Sequence, residues 1–172
     1  MAEFNSCAKL MQNLPEATNA LSNVIANGKS PLNEMLKMQN QLQVNLKEKL
    51  GRTIPPDELK TKGELVDFLF DQKRAFDDEF MELIHACAGS NKSDKEQTSI
   101  WKKWKSNYTQ LRAEDINEGL TEEEVHEKNF ELCDLTHFFL NMILALGLTE
   151  KELFEYYYLK NKENFNRYQN GY

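Results

Sequence analysis

Four acidic residues stand where two helices should be apolar. Along one segment Leu65, Leu69, Gln72, Phe76, Glu79, Leu83 and Ala86 advance by alternating steps of four and three, the period of a helix face turned toward a core. Glu79 lies inside that stripe, and Glu82 follows one turn further along the same face. Later in the chain Glu131, Asp134, Phe138, Asn141 and Ala145 form a second stripe, and the residues from Phe138 to Leu148 are almost entirely apolar. Each helix thus carries a pair of carboxylates, i and i+3, on or beside a face destined for burial. Four carboxylates cannot gather in a core without a counter-charge, because desolvation and mutual repulsion together cost many kcal/mol. A hard divalent cation supplies it: Mg²⁺ takes carboxylate oxygens and leaves its other positions to waters and phosphates. Solvated acids at the rims of the two stripes are the alternative, since single pairs of this spacing arise by chance among 28 acidic residues.

Other residues suit a phosphorylated, base-bearing ligand. Lys160, Asn164 and Arg167 fall on one helical face, and cations with an amide between them fit a phosphate chain; a charged helix end has the same appearance. The stripe Leu32, Met35, Leu36, Gln39, Leu42, Gln43, Leu46 is interrupted by two amides. A buried amide can read a base edge with its donor and acceptor, or satisfy nearby backbone, and by rotating Gln39 could present either group. Trp101 and Trp104 offer a stacking face, with core packing the commoner use of a helical tryptophan. Other chemistries lack their residues. His85, His126 and His137 are not at zinc-ligand spacing, and the chain has neither a glycine-rich phosphate loop nor a Gly-x-Ser-x-Gly elbow. Cys133 lies between two carboxylates, a setting that disfavours a thiolate nucleophile.

These residues need helices to position them, and the helix starts are well marked. Ser30-Pro31 pairs an N-cap with proline at the first helical position, and Gly51 with Ile54-Pro55-Pro56 ends that helix. Capping boxes occur at Thr61/Glu64, Ser93/Glu96, Thr121/Glu124 and Thr149/Glu152, the last just after Gly147, a left-handed stop. The pattern predicts helices over about 31–50, 62–88, 94–115, 122–146 and 150–168, a weaker one within 3–26, and no strand. The fold class is therefore all-α, a helical bundle. With 172 residues, 40% of them hydrophobic, the chain is expected to be one domain, residues 1–172. A net charge of −7 argues against a nucleic-acid-binding surface. The longest apolar run, Phe138 to Leu148, is too short to span a bilayer, and the N-terminus lacks the features of a signal peptide. Cys7, Cys87 and Cys133, odd in number and widely spaced, fit reduced thiols in a cytoplasm.

The motifs Glu79-Phe80-Met81-Glu82 and Glu131-Leu132-Cys133-Asp134 resemble the metal carboxylates of the all-α nucleoside triphosphate pyrophosphatases, a superfamily that includes the MazG-type enzymes and the dimeric dUTPases. The tail Lys160-Asn161, Asn164, Arg167, Asn170-Gly171-Tyr172 is similar to the phosphate-binding tail of the dimeric dUTPase branch. Over essentially all of residues 1–172 the chain resembles the dCTP pyrophosphatases of T-even bacteriophages. The resemblance runs through Met1 to Ala8, Pro31-Leu32 with Met35 to Gln39, Asp78-Glu79-Phe80, Trp101-Lys102-Lys103-Trp104-Lys105, and Tyr157 to Phe165.

The resemblance implies an all-α pyrophosphatase bundle, with residues 1–30 an N-terminal extension and 94–120 a helical insertion between the carboxylate motifs. It implies Mg²⁺-dependent hydrolysis of dCTP to dCMP, and of dUTP to dUMP, each with pyrophosphate. Such an enzyme clears cytosine and uracil deoxynucleotides from a phage DNA precursor pool, in the host cytoplasm. It would be a homodimer and a neighbour of other phage deoxynucleotide-synthesis enzymes, without direct contact with nucleic acid or membrane. By the same resemblance Glu79, Glu82, Glu131 and Asp134 are metal ligands and catalytic residues, any one of them, or a metal-bound water they hold, generating the nucleophile. Phe138 packs on the deoxyribose, while Asn141, Lys160, Asn161, Asn164, Arg167 and Tyr172 hold sugar and phosphates. Gln39 contacts the base, with Trp101 and Trp104 as further substrate contacts. The family's Glu-Leu-Val-Asp is here Glu-Leu-Cys-Asp, a change of similar volume at Cys133. A dUTP-only enzyme, another deoxynucleoside triphosphate pyrophosphohydrolase and a non-catalytic helical scaffold are the alternatives; four acids beside apolar stripes serve no purpose in a scaffold.

Overall fold

The computed structural model describes residues 7–51, 54–89 and 100–170. Every regular element among them is helical. In chain order these are α1 (Cys7–Met11), α2 (Leu14–Ala26), α3 (Pro31–Leu50), a 3-10 turn (Pro56–Glu58), α4 (Lys62–Ala88), α5 (Ser106–Leu111), α6 (Glu122–Ala145) and α7 (Glu150–Asn170). The N-terminal segment holds two helices where one was expected. Pro15 explains the break, because it has no N–H to continue α1 and is tolerated in the first turn of α2.

Three capping boxes form as the sequence predicts. The backbone N–H of Thr61 donates to Glu64 (2.8 Å) while that of Glu64 donates to the Thr61 hydroxyl (3.1 Å), starting α4. The same exchange opens α6 at Thr121/Glu124 (2.7 and 3.2 Å) and α7 at Thr149/Glu152 (2.9 and 3.2 Å). These ends set the rotational phase of the helices, and so decide which side chains the stripes present. Helix α6 stops at Gly147 (φ 67°), where the Leu148 N–H turns back to the Ile143 carbonyl (3.2 Å). The Ser93/Glu96 box and Tyr172 lie outside the described residues.

The helix expected over 94–115 is not found as such. Residues 100–105 are turns, Lys105 is extended (φ −99°, ψ 146°), and the only helical piece described there is Ser106–Leu111. Lys102, Lys103 and Lys105 place like charges within about one turn, and the extended Lys105 separates these residues from the helix that starts at Ser106.

The chain divides into two compact units, one comprising residues 1–19 and 73–138, the other residues 20–72 and 139–172. In the first unit Cys7, Ile100 and Leu135 are buried, and the Cys7 thiol donates to the Glu127 carboxylate. Burial, followed by that bond and the nearby acids Glu127, Glu123 and Glu131, pushes the Cys7 pKa up to about 12. The second unit has its core in Leu36 of α3 with Leu140 and Ile143 of α6, flanked by Leu32, Leu144, Leu148 and Leu153. Leu140 is 4% exposed. Leu140→Ala is therefore expected to lower the unfolding free energy by about 2–5 kcal/mol, measured by urea titration.

Candidate metal centre

In the first unit α4 and α6 bring their carboxylates together. Glu79, Glu131 and Asp134 each offer one oxygen, and the three oxygens lie within 4.8 Å of one another. Glu79 and Glu131 are half-buried, whereas Asp134 and Glu82 are exposed. Glu82 stands outside this closest group but acts on it electrostatically. The Glu79 carboxyl is raised above its ordinary pKa by burial first, and then by the charges of Glu82, Asp134 and Asp78. Glu131 is pushed up to about 7, again by burial first, then by Glu82, Glu127, Asp134 and Glu79. One oxygen of Glu131, Oε2, is buried and has no hydrogen-bond partner among the described residues.

A divalent cation fits this arrangement on two grounds. The donors are all carboxylate oxygens, the ligand type hard cations take. The buried Oε2 of Glu131 is an acceptor left without a donor, a state that costs about 1–3 kcal/mol unless something positive meets it. Mg²⁺ binds oxygen at about 2.1 Å, which places its ligands no more than about 4.2 Å apart. Oxygens within 4.8 Å of one another need only small side-chain rotations to reach that spacing.

The second unit holds a chain of side-chain amides. Gln39 Nε2 of α3 donates to Asn141 Oδ1 of α6 (2.8 Å), and Asn141 Nδ2 donates to Gln72 Oε1 of α4 (2.7 Å). Gln39 is 3% and Asn141 2% exposed, so both amides are removed from water. Gln72, which ends this series, was not singled out by sequence reasoning. Its signal was present, because it interrupts the apolar stripe of α4 just as Gln39 and Gln43 interrupt that of α3.

The remaining candidates occupy more open positions. Phe138, half-buried, comes one turn after Asp134 on α6. Lys160, Asn164 and Arg167 are exposed on α7, Asn161 is half-buried, and Arg167 Nε is held by Glu163 Oε1 at 3.0 Å. Trp101 and Trp104 do not pack into a core. They are 58% and 73% exposed and meet edge to face, 6.3 Å between ring centroids, with the Lys102 ammonium 5.1 Å from the Trp101 ring. No single helix among the described residues is long and apolar enough to cross a membrane.

No protein-family model matches the chain, and no solved structure matches it. Among curated proteins it is 41% identical over 172 residues to the dCTP pyrophosphatase of Enterobacteria phage T4, a match that covers the whole of both chains. It is 39% identical over 173 residues to the dCTP pyrophosphatase of Enterobacteria phage LZ5, again covering both chains entirely. A third relative, a DNA replication protein of phage T4, is 39% identical over 166 residues, which take in 96% of this chain and 42% of that protein. With identity of this order along its full length, the chain belongs to the dCTP pyrophosphatase family of T4-type phages, a family of nucleoside triphosphate pyrophosphohydrolases.

Proposed function

We propose that the chain hydrolyses dCTP to dCMP and pyrophosphate, and dUTP to dUMP and pyrophosphate, in a Mg²⁺-dependent reaction. The observation that carries this reading is the meeting of Glu79, Glu131 and Asp134 within 4.8 Å, with the buried Oε2 of Glu131 unpartnered among the described residues. These three, with Glu82 beside them, would hold the metal. When bound, Mg²⁺ neutralises the acids, draws in phosphate oxygens and lowers the pKa of a coordinated water. The protein supplies the positioning. Phe138 presents a ring to the deoxyribose and no partner for a 2′-hydroxyl. Lys160, Asn161, Asn164 and Arg167, with Tyr172, take the phosphates. Arg167 is held for this by Glu163, an exposed pairing that a phosphate, with more charge, can displace. Gln39 reads the base, held from behind by Asn141.

The names of the T4 and LZ5 relatives support dCTP as substrate. The T4 DNA replication protein that shares this segment fits a place in precursor supply, where removal of dCTP and dUTP keeps both from progeny DNA and yields monophosphates for other deoxynucleotide-synthesis enzymes in the host cytoplasm. A pyrophosphate-release assay over all canonical and uracil-containing nucleotides with Mg²⁺ tests the reading. Turnover is expected with dCTP and dUTP, little with dTTP, and roughly 5- to 150-fold less with CTP and UTP, since burying an unpaired hydroxyl costs about 1–3 kcal/mol. Equal efficiency on dCTP and CTP would remove Phe138 from the site.

The active form is proposed to be a homodimer. Helix α7 exposes Phe154, Tyr156, Tyr157, Tyr158, Phe165 and Tyr168, each at least 59% accessible, more aromatic surface than a monomer ordinarily leaves in water. Sedimentation at micromolar concentration should give twice the 20.1 kDa chain mass. A species of 20.1 kDa alone would rule the dimer out.

A further inference from the structure

We infer that the segment from Trp101 to Arg112 is a docking strip for single-stranded nucleic acid, on which bases stack and phosphates are held. The chain has two tryptophans, and both stand here. They meet edge to face at 6.3 Å between centroids, with 58% of Trp101 and 73% of Trp104 accessible. The fold gains little from indoles left so far in water. Trp101 also lines a groove of about 440 Å³, whose walls include Leu83, Ile84, Ile100 and Leu111 and which Arg112 borders. Because Trp101 belongs to both, the tryptophan pair and the groove form one continuous surface, all of it within the first unit.

Charge points the same way. The chain as a whole is at −7, which is why a nucleic-acid surface was not expected. From Ile100 to Ala113 the sign reverses: Lys102, Lys103, Lys105 and Arg112 stand there without a single acid. Lys103, Lys105 and Arg112 are exposed, and none of the four cations is in an ion pair among the described residues. Two of them lie against aromatic rings instead, Lys102 Nζ at 5.1 Å from the Trp101 centroid and the Arg112 guanidinium at 4.1 Å from that of Tyr108. Exposed contacts of this kind are weak, so a base can take a ring face and leave the cation to a phosphate. A single strand brings both partners, a π-face on every base and a negative charge at every link. A duplex keeps its base faces stacked on one another, and an acidic peptide would leave the indoles unused.

Titration of the full chain with a labelled oligothymidylate, followed by anisotropy and by tryptophan fluorescence, tests this. With no other tryptophan in the chain, quenching reports on this strip directly. Binding is expected to quench, to be weaker for a duplex of the same length, and to persist in saturating dCMP with Mg²⁺. Three or four neutralised phosphates should give a slope of about −2 to −3 in log K against log salt. Trp104→Ala should weaken binding about 5- to 150-fold, the loss of one stacked base. Lys103→Glu with Lys105→Glu should flatten the salt slope by about 1 to 1.5. All three side chains are exposed, so the melting temperatures should match the wild type. Absence of quenching, equal affinity for the duplex, or displacement by dCMP, which would return the tryptophans to the substrate site, would overturn the inference. So would capture of polyglutamate in place of the oligonucleotide, which marks an acidic protein partner, or a loss of sedimentation mass in Trp104→Ala, which marks a second copy.

Discussion

Glu131→Gln should fold, should be more stable than the wild type in the absence of divalent cations, and should lose turnover of dCTP by about two to three orders of magnitude. Glutamine keeps the volume and one oxygen of the glutamate but removes the charge. In the wild type that charge is half-buried and faces Glu82, Glu127, Asp134 and Glu79, all of which raise its pKa. Removing it relieves repulsion in the folded state without opening a cavity, hence the gain in stability. The same change takes a negative ligand from the group of three that lies within 4.8 Å, hence the loss of activity. Opposite signs for stability and turnover distinguish this from ordinary damage to a core residue, which lowers both. A variant with near-normal turnover, or one destabilised without metal, would separate Glu131 from the site.

The second large effect is a reversal of the pH dependence of stability by metal. Glu131 titrates at about 7 in the folded chain against 4.5 ordinarily. Between those values the folded state keeps a proton that the unfolded state has released. Its contribution to stability is thus complete below the unfolded value and is lost as pH rises through the folded one. Glu79, raised for the same reason, acts in the same direction. Without metal, the melting temperature of the wild type relative to Glu131→Gln should therefore fall between about pH 5 and pH 8. A cation binds the ionised carboxylates and competes with the proton, so added Mg²⁺ should stabilise little at the acid end and most at the alkaline end. At a concentration of about 100 times Kd the gain is about 2.7 kcal/mol. Stabilisation by Mg²⁺ that is equal at both ends, or present in full in Glu131→Gln, would place the metal elsewhere.

What was legible in the sequence was local or periodic. The boxes at Thr61/Glu64, Thr121/Glu124 and Thr149/Glu152 depend on residues three apart, and all three form. The stripes of α4 and α6 follow from helix geometry alone, so the inward position of Glu79 and Glu131 could be read before any contact was known. The helix expected over 94–115 rested on the local Ser93/Glu96 signal, and a capping signal says where a helix can start but not how far it runs. From Ile100 to Lys105 the chain forms turns, with Trp101 and Trp104 edge to face and Lys102 against the Trp101 ring. Gln72 was missed for a different reason. It meets Asn141, 69 positions away, and periodicity says which face a residue occupies but not which residue it will meet there. Asn141, expected by resemblance among the residues that hold sugar and phosphates, is the middle member of a buried amide series, and those meetings likewise could not be read from periodicity.

The most direct test of the central claim is product analysis of dCTP hydrolysis with metal removed and restored. With Mg²⁺, dCMP and pyrophosphate should appear in equal amounts. Chelation should abolish both, readdition of Mg²⁺ should restore both, and Glu131→Gln should release neither at a comparable rate. Release of dCDP and inorganic phosphate, or undiminished hydrolysis after chelation, would contradict the metal-carboxylate pyrophosphohydrolase described here.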